Sequence, residues 1–230
     1  MISYYNGTVF NCDAHAKVNT VNCLGVMGAG IALEFSLRYP DMYKDYVDKC
    51  KNNIIRVGKV DYYKANDRII VNFPTKWHFK YPSKIEWIED GLIDFVATYK
   101  EKGIRSIAFP KLGTNNGGLD WERVKTLMEK YLDPIDITVY ICLDISKAEG
   151  LEAEMLDIAN SVDLDLVKES VRMTEKQRAA IEKNRPFSRF WMIKEIDGIG
   201  VAFYSKFFNY CMNAISNPKS AVQISLFDTI

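Results

Sequence analysis

Along the first 144 positions, short apolar runs alternate with stretches in which apolar residues recur every three or four places. Ile2–Tyr5, Ala16–Val21, Val60–Lys64, Ile69–Phe73, Ser106–Pro110 and Ile137–Leu143 are brief and rich in β-branched and aromatic residues, so they read as strands. Between them Gly28–Tyr39, Met42–Lys51, Ser83–Lys102 and Trp121–Tyr131 read as helices, with Pro40 breaking the first from the second. In the longest, Ile85, Ile88, Leu92, Phe95 and Tyr99 share one face. Ser83 with Glu86 reads as a capping box at its start, and Gly103 as a stop beyond its end. Asn66-Asp67 marks a hairpin turn. Strands alternating with helices predict an α/β fold whose mostly parallel sheet is covered on both faces.

After Asp144 the strand pattern stops and helical spacing takes over. Thr174 with Gln177 reads as a second capping box, and Phe203, Phe207, Phe208, Met212 and Ile215 form an apolar stripe. The predicted division is a domain over 1–144, a helix-rich extension over 145–216 and a tail over 217–230, with the linker near 144–150.

Composition narrows the functional classes. A hydrophobic share of 48% is ample for a packed core, and 30 basic residues cancel 30 acidic ones. Coating nucleic acid through charge alone is therefore excluded, although a local basic patch over one cleft is not. Five cysteines without a CxxC pair, and only His15 and His78, argue against a disulfide framework and against a metal centre; no cofactor is expected. The N-terminus carries no leader-like segment, and no run approaches the ~18 apolar residues of a membrane span, so a soluble, cytoplasmic protein is expected.

Three segments that follow strands hold the candidate chemistry, where open α/β sheets bind ligands. The first, Asn19-Thr-Val-Asn22-Cys23-Leu-Gly25-Val-Met27-Gly28-Ala29-Gly30-Ile31, leads through glycines into a helix whose free N–H groups suit an anion such as a diphosphate. A plain tight turn explains the same glycines equally well. The second, Leu112-Gly113-Thr114-Asn115-Asn116-Gly117-Gly118-Leu119-Asp120, gathers small residues and amides before another helix. It is neither a Walker loop nor a dinucleotide fingerprint, and Asp120 also reads as an ordinary N-cap. The third, Asn72-Phe73-Pro74-Thr75-Lys76-Trp77-His78-Phe79-Lys80, sets a lysine after a strand, where desolvation makes an amine nucleophilic. Taken alone, such a lysine reads as solvated.

In this order and spacing, VNTVNCLGVMGAGIALEF, NFPTK and LGTNNGGLDW resemble the macro domains, and within them the DarG-type antitoxins that remove ADP-ribose from thymidine in DNA. Terminal ADP-ribose protein glycohydrolases are similar at a greater distance. The resemblance covers about residues 1–144. It implies a three-layer α/β/α fold with a mixed, mostly parallel sheet, here followed by the helix-rich C-terminal extension. It implies that Asn22 contacts the distal ribose, that Gly28, Ala29 and Gly30 pass over that ribose and the diphosphate, and that Gly113 to Gly118 form the second diphosphate loop. Lys76 matches a catalytic lysine and Asp120 the aspartate that assists it in the protein-directed relatives, with attack at the ribose C1″. Thr8, Val9, Asn19, Cys23, Gly25, Met27, Ile31, Thr75, Leu112 and Leu119 complete the implied ADP-ribose site. One departure stands out: Gly7-Thr8-Val9 occupies the place of the family's Gly-Asp-Ile/Leu, whose aspartate holds adenine.

Trp77, Trp87 and Trp121 read as core or cleft-wall residues, although Trp77 is placed to meet a base. Lys76, Lys80 and Lys84 with His78 read either as a patch facing a nucleic-acid backbone or as a solvated rim. Asp197-Gly198-Ile-Gly200 reads as an αα-turn more readily than as a DNA-binding hairpin. Gln223-Ile-Ser-Leu-Phe227 resembles a sliding-clamp peptide, or is a tail packed on its own domain. The expected function is glycohydrolysis of ADP-ribosylated DNA, reversing a partner ADP-ribosyltransferase. Alternatives are removal from protein carboxylates, processing of small metabolites such as O-acetyl-ADP-ribose, a non-catalytic ADP-ribose reader, and an inhibitor that sequesters the transferase.

Overall fold

The computed structural model describes residues 1–66 and 68–216. It divides into two compact units, Met1–Ile145 and a second beginning at Ser146. In chain order the first contains β1 (Ile2–Tyr5), β2 (Ala16–Val21), α1 (Gly30–Arg38), α2 (Pro40–Lys51), β3 (Asp61–Lys64), β4 (Ile69–Pro74), α3 (Ile85–Thr98), β5 (Ser106–Pro110), α4 (Trp121–Leu132) and β6 (Thr138–Cys142).

The strands form one sheet in the order β1-β6-β5-β2-β4-β3. β3 runs antiparallel to β4, and the other pairings are parallel. Ala65 N donates to Arg68 O at 2.9 Å to close the hairpin. Side-chain alternation sorts the core into two layers. Val71 and Phe73 of β4 join Val18, Ile107, Phe109 and Val139 beneath α3 and α4, whereas Ile70 joins Val21, Ala108 and Cys142 beneath α1 and α2. Burying a ring such as Phe73 or Phe109 contributes about 3 kcal/mol, so the inner strands are the hardest part of the unit to open.

Three helix starts differ from expectation for identifiable reasons. Ser83 does not cap α3: the helix starts at Ile85 behind Lys84, which makes no side-chain cap. Ser83 is buried instead, and its N–H donates to Gly117 O at 2.9 Å, so a tertiary contact outcompetes the local box with Glu86. α1 starts at Gly30 because Ala29 stays extended, at φ −157°. Pro40 opens α2 as its first residue, where its missing N–H costs nothing.

The second unit comprises α5 (Leu151–Ser161), α6 (Leu164–Val171), α7 (Glu175–Asn184), a 3-10 helix (Phe190–Glu195) and α8 (Val201–Ser216). The capping box at α7 is formed, with Gln177 N donating to Thr174 Oγ1 at 3.2 Å and Thr174 N to Gln177 Oε1 at 3.0 Å. On α8, Phe203, Phe207 and Phe208 are buried together with Tyr204 and Cys211, while Met212 and Ile215 are only half-buried. The buried Glu152 accepts from Arg189 at 2.9 and 3.2 Å and from Phe190 N at 3.0 Å, tying α5 to the 3-10 helix. Asp197-Gly198 is a turn between that helix and α8. Gln223–Phe227 lies outside the described residues. Among the described residues, no helix is long and apolar enough to cross a membrane.

Candidate functional site

β5, β2 and β4 are neighbours, and their parallel direction brings their carboxyl ends to one edge. Val21 pairs with Pro74, and Thr75 N donates to Val21 O at 3.0 Å, so the segments after β2 and β4 leave the sheet together. β2 and β5 are adjacent, yet the chain goes on from β2 towards β4 and from β5 towards β6, the reversal at which open sheets leave a crevice for ligands.

The loop after β2 is organised by Asn22. Its Oδ1 accepts from Leu24 N at 2.9 Å, and its Nδ2 donates to Val26 O at 2.5 Å. Tyr46 and Tyr43, one turn apart on α2, donate to the carbonyls of Asn22 and Gly25 at 2.6 and 3.3 Å. The loop then enters α1, which has neither a side-chain cap nor an acidic residue in its first turn. Its first N–H groups and the positive end of the helix dipole are thus left for an anion.

The loop after β5 closes on itself, with Leu119 N donating to Gly113 O at 3.0 Å and Gly118 N to Thr114 O at 2.9 Å. A Cβ on Gly117 would lie 2.1 Å from Gly113 O and 2.5 Å from Ser83 Oγ, so only glycine fits. The helix that follows, α4, is capped: Asp120 accepts from Arg123 N at 3.0 Å.

Lys76, after β4, joins the two. Its ammonium donates to Asn116 O. A Cβ on Gly30, which sits at φ +55°, would come within 2.8 Å of Asn116 Nδ2. Asn116 is therefore where all three segments converge. Burial pulls the Lys76 pKa below its ordinary value, enlarging the fraction of neutral amine. Cys23 N donates to Trp77 O at 3.1 Å, and burial pushes the Cys23 thiol up to about 11, too high for a thiolate nucleophile at neutral pH.

The other expected site residues separate by burial. Gly28, Ala29, Gly30, Ile31, Thr114, Asn115, Asn116, Gly118 and Leu119 retain solvent exposure around the convergence. Val9, Asn19, Met27, Thr75 and Leu112 are buried and offer no wetted surface. Asn19 is fully buried in β2 and donates to Asn72 Oδ1 at 3.1 Å, a bond that joins β2 to its neighbour β4. Thr8 uses its hydroxyl on its own turn, accepting from Asn11 N at 3.4 Å. Trp121 packs against the core, but Trp77 is 54% exposed and is not a core residue. Tyr43, Tyr46 and Ser83 support the loops without having been expected to do so. The tyrosines look like ordinary helix-core residues.

The Macro domain family model matches residues 18–128. The solved macrodomain of Thermus aquaticus DarG aligns at 39% identity with a TM-score of 0.60, covering 62% of this chain and 98% of that one. This chain belongs to the macro-domain family. A Mycobacterium tuberculosis protein named DNA ADP-ribosyl glycohydrolase is 40% identical over 190 residues, covering 79% of this chain and 53% of the relative. The chain thus spans about half the length of that curated relative. The aligned share also exceeds the 62% matched by the isolated macrodomain, so the likeness extends beyond the macro fold. Thermosipho africanus DarTG, solved in complex with ADP-ribose, aligns at 36% identity and a TM-score of 0.60, covering 65% of this chain and 43% of that chain.

Proposed function

We propose that the protein is an ADP-ribosyl glycohydrolase that releases ADP-ribose from thymidine bases of DNA. The observation that carries this reading is the meeting of three loops at Asn116, with a partly buried lysine beside an uncapped helix end. The helix end and the loop after β5 supply backbone donors for the diphosphate, and Lys76 supplies the nucleophile. The naming of the 40% identical relative supports DNA as the carrier.

In this mechanism the neutral amine of Lys76 attacks C1″ of the distal ribose. The bond from C1″ to the thymine nitrogen breaks, and the base leaves with the proton the amine gives up. The sugar ring opens as the lysine nitrogen becomes an imine. Water then adds at C1″, the C–N bond breaks, and free ADP-ribose departs with lysine restored. Asp120 is assigned the proton transfers, one of its oxygens being engaged by Arg123 N. The substrate must come from an ADP-ribosyltransferase acting on DNA, and we assign the helical second unit to recognition of that partner.

The test is release of ADP-ribose from an ADP-ribosylated thymidine oligonucleotide, run beside glutamate-ADP-ribosylated protein. Lys76→Ala is expected to abolish release from DNA while free ADP-ribose binds within severalfold of wild type by calorimetry. Equal loss of both removes the catalytic assignment, and release from protein alone replaces DNA as the substrate.

A further inference from the structure

The chain immediately after Lys76 carries a feature outside the expected ADP-ribose site. Trp77, Phe79 and Tyr81 are 54%, 42% and 59% exposed, with Lys80 and Lys84 exposed among them. We propose that residues 77–84 form a stacking platform that holds the single-stranded DNA flanking the modified base. This rests on the glycohydrolase reading for its substrate but on separate residues for its geometry.

The rings are organised around His78. Its ring lies 4.5 Å from Phe79 at 25°, 5.0 Å from Tyr81 and 6.0 Å from Trp77. Tyr81 N donates to His78 O at 3.2 Å, and Lys80 N to His78 Nδ1 at 3.0 Å, so the turn holds its histidine in place. Clustered aromatic rings exposed to water find no explanation in packing. From Thr75 to Lys84 there are three lysines and no acidic residue, in a chain whose net charge is +0. Rings interleaved with lysines are what a single strand needs: bases stack on the rings while the cations meet phosphates. A duplex keeps its base faces covered by neighbouring bases, so the strand must be single. A protein-docking patch would instead be depleted of lysine. The Trp77 carbonyl, bonded to Cys23 N, fixes the start of the platform to the loop after β2. The platform thus begins at the residue that directly follows Lys76.

The experiment uses the full chain and a short unmodified oligothymidylate, with affinity read by anisotropy of the labelled strand and contact by quenching of tryptophan fluorescence. Trp77→Ala and Tyr81→Ala are each expected to weaken binding about tenfold, and Trp77→Phe to retain most of it. Replacing Lys80 and Lys84 by glutamine should flatten the dependence on salt. With ADP-ribosylated oligonucleotide, Trp77→Ala should raise KM about tenfold with kcat within twofold. The platform is overturned if Trp77→Ala with Tyr81→Ala binds oligothymidylate like wild type, or if duplex binds as tightly as single strand. It is also overturned if that double variant loses a transferase while keeping DNA. Binding of the unmodified strand requires no turnover. Platform-dependent binding without release from DNA would remove the glycohydrolase reading alone, and release unaffected by the double variant would remove the platform alone.

Discussion

The loops after β2 and β5 share the same plan, a strand leading through glycines into a helix, yet they spend their glycines differently. The loop after β2 passes Gly30 beside Asn116 and enters α1 with its first N–H groups uncapped. The loop after β5 folds Gly117 onto its own backbone and enters α4 through the Asp120 cap. One glycine-rich loop is open to an anion at the helix end, while the other is a rigid wall that offers its outer face. The lesson is that a glycine count says little until the capping residue and the space at each Cβ are known.

The difference can be broken by substitution. Gly117→Ala is expected to have the largest effect, because its Cβ would lie 2.1 Å from a backbone carbonyl that cannot swing away. A loss of about 3 kcal/mol in urea unfolding is expected; a loss below ~1 kcal/mol would show that the wall is pliable.

Next comes pH, which reports on the lysine that leans from one loop to the other. Burial disfavours the charged form, so the Lys76 pKa lies below the ordinary ~10.4. Because the attacking species is the neutral amine, single-turnover release should rise with pH, about tenfold per unit. It should level off before the ordinary lysine value. A plateau displaced to or above ~10.4 would count against a desolvated nucleophile.

Ala29→Asp makes the first loop resemble the second by giving α1 a carboxylate cap. Ala29 already has the extended backbone an N-cap needs. The fold should gain about 0.5–1 kcal/mol while ADP-ribose affinity falls about tenfold, because the new charge meets the diphosphate. Unchanged affinity by calorimetry would move the diphosphate away from α1.

The smallest effect is expected at the other cap. Asp120→Asn should leave stability within a few tenths of a kcal/mol, and Asp120→Ala should cost about 1 kcal/mol. Thermal unfolding of the pair separates the cap from any role of the carboxylate in turnover.

The strand and helix plan was legible because apolar periodicity differs between a strand and a helix, and because inner parallel strands are apolar throughout. The capping box at Thr174 was legible for a local reason: its partners are three residues apart, and the bond from Gln177 Nε2 to Gly198 O leaves Oε1 for the cap. The same signature at Ser83 failed because Gly117, thirty-four positions on, claimed its N–H. Sequence by itself determined the element types, the order of the three loops and the residue types at their tips. The tertiary structure alone decided that these tips meet at Asn116 and that Asn19 is buried and bonded to Asn72. It also decided that two tyrosines on α2 hold the first loop in shape and that Trp77 stands in water. The physical reason is range. Periodicity and capping are written within a few residues of where they act, whereas convergence, burial and a lysine's loss of water depend on which distant backbone arrives beside it.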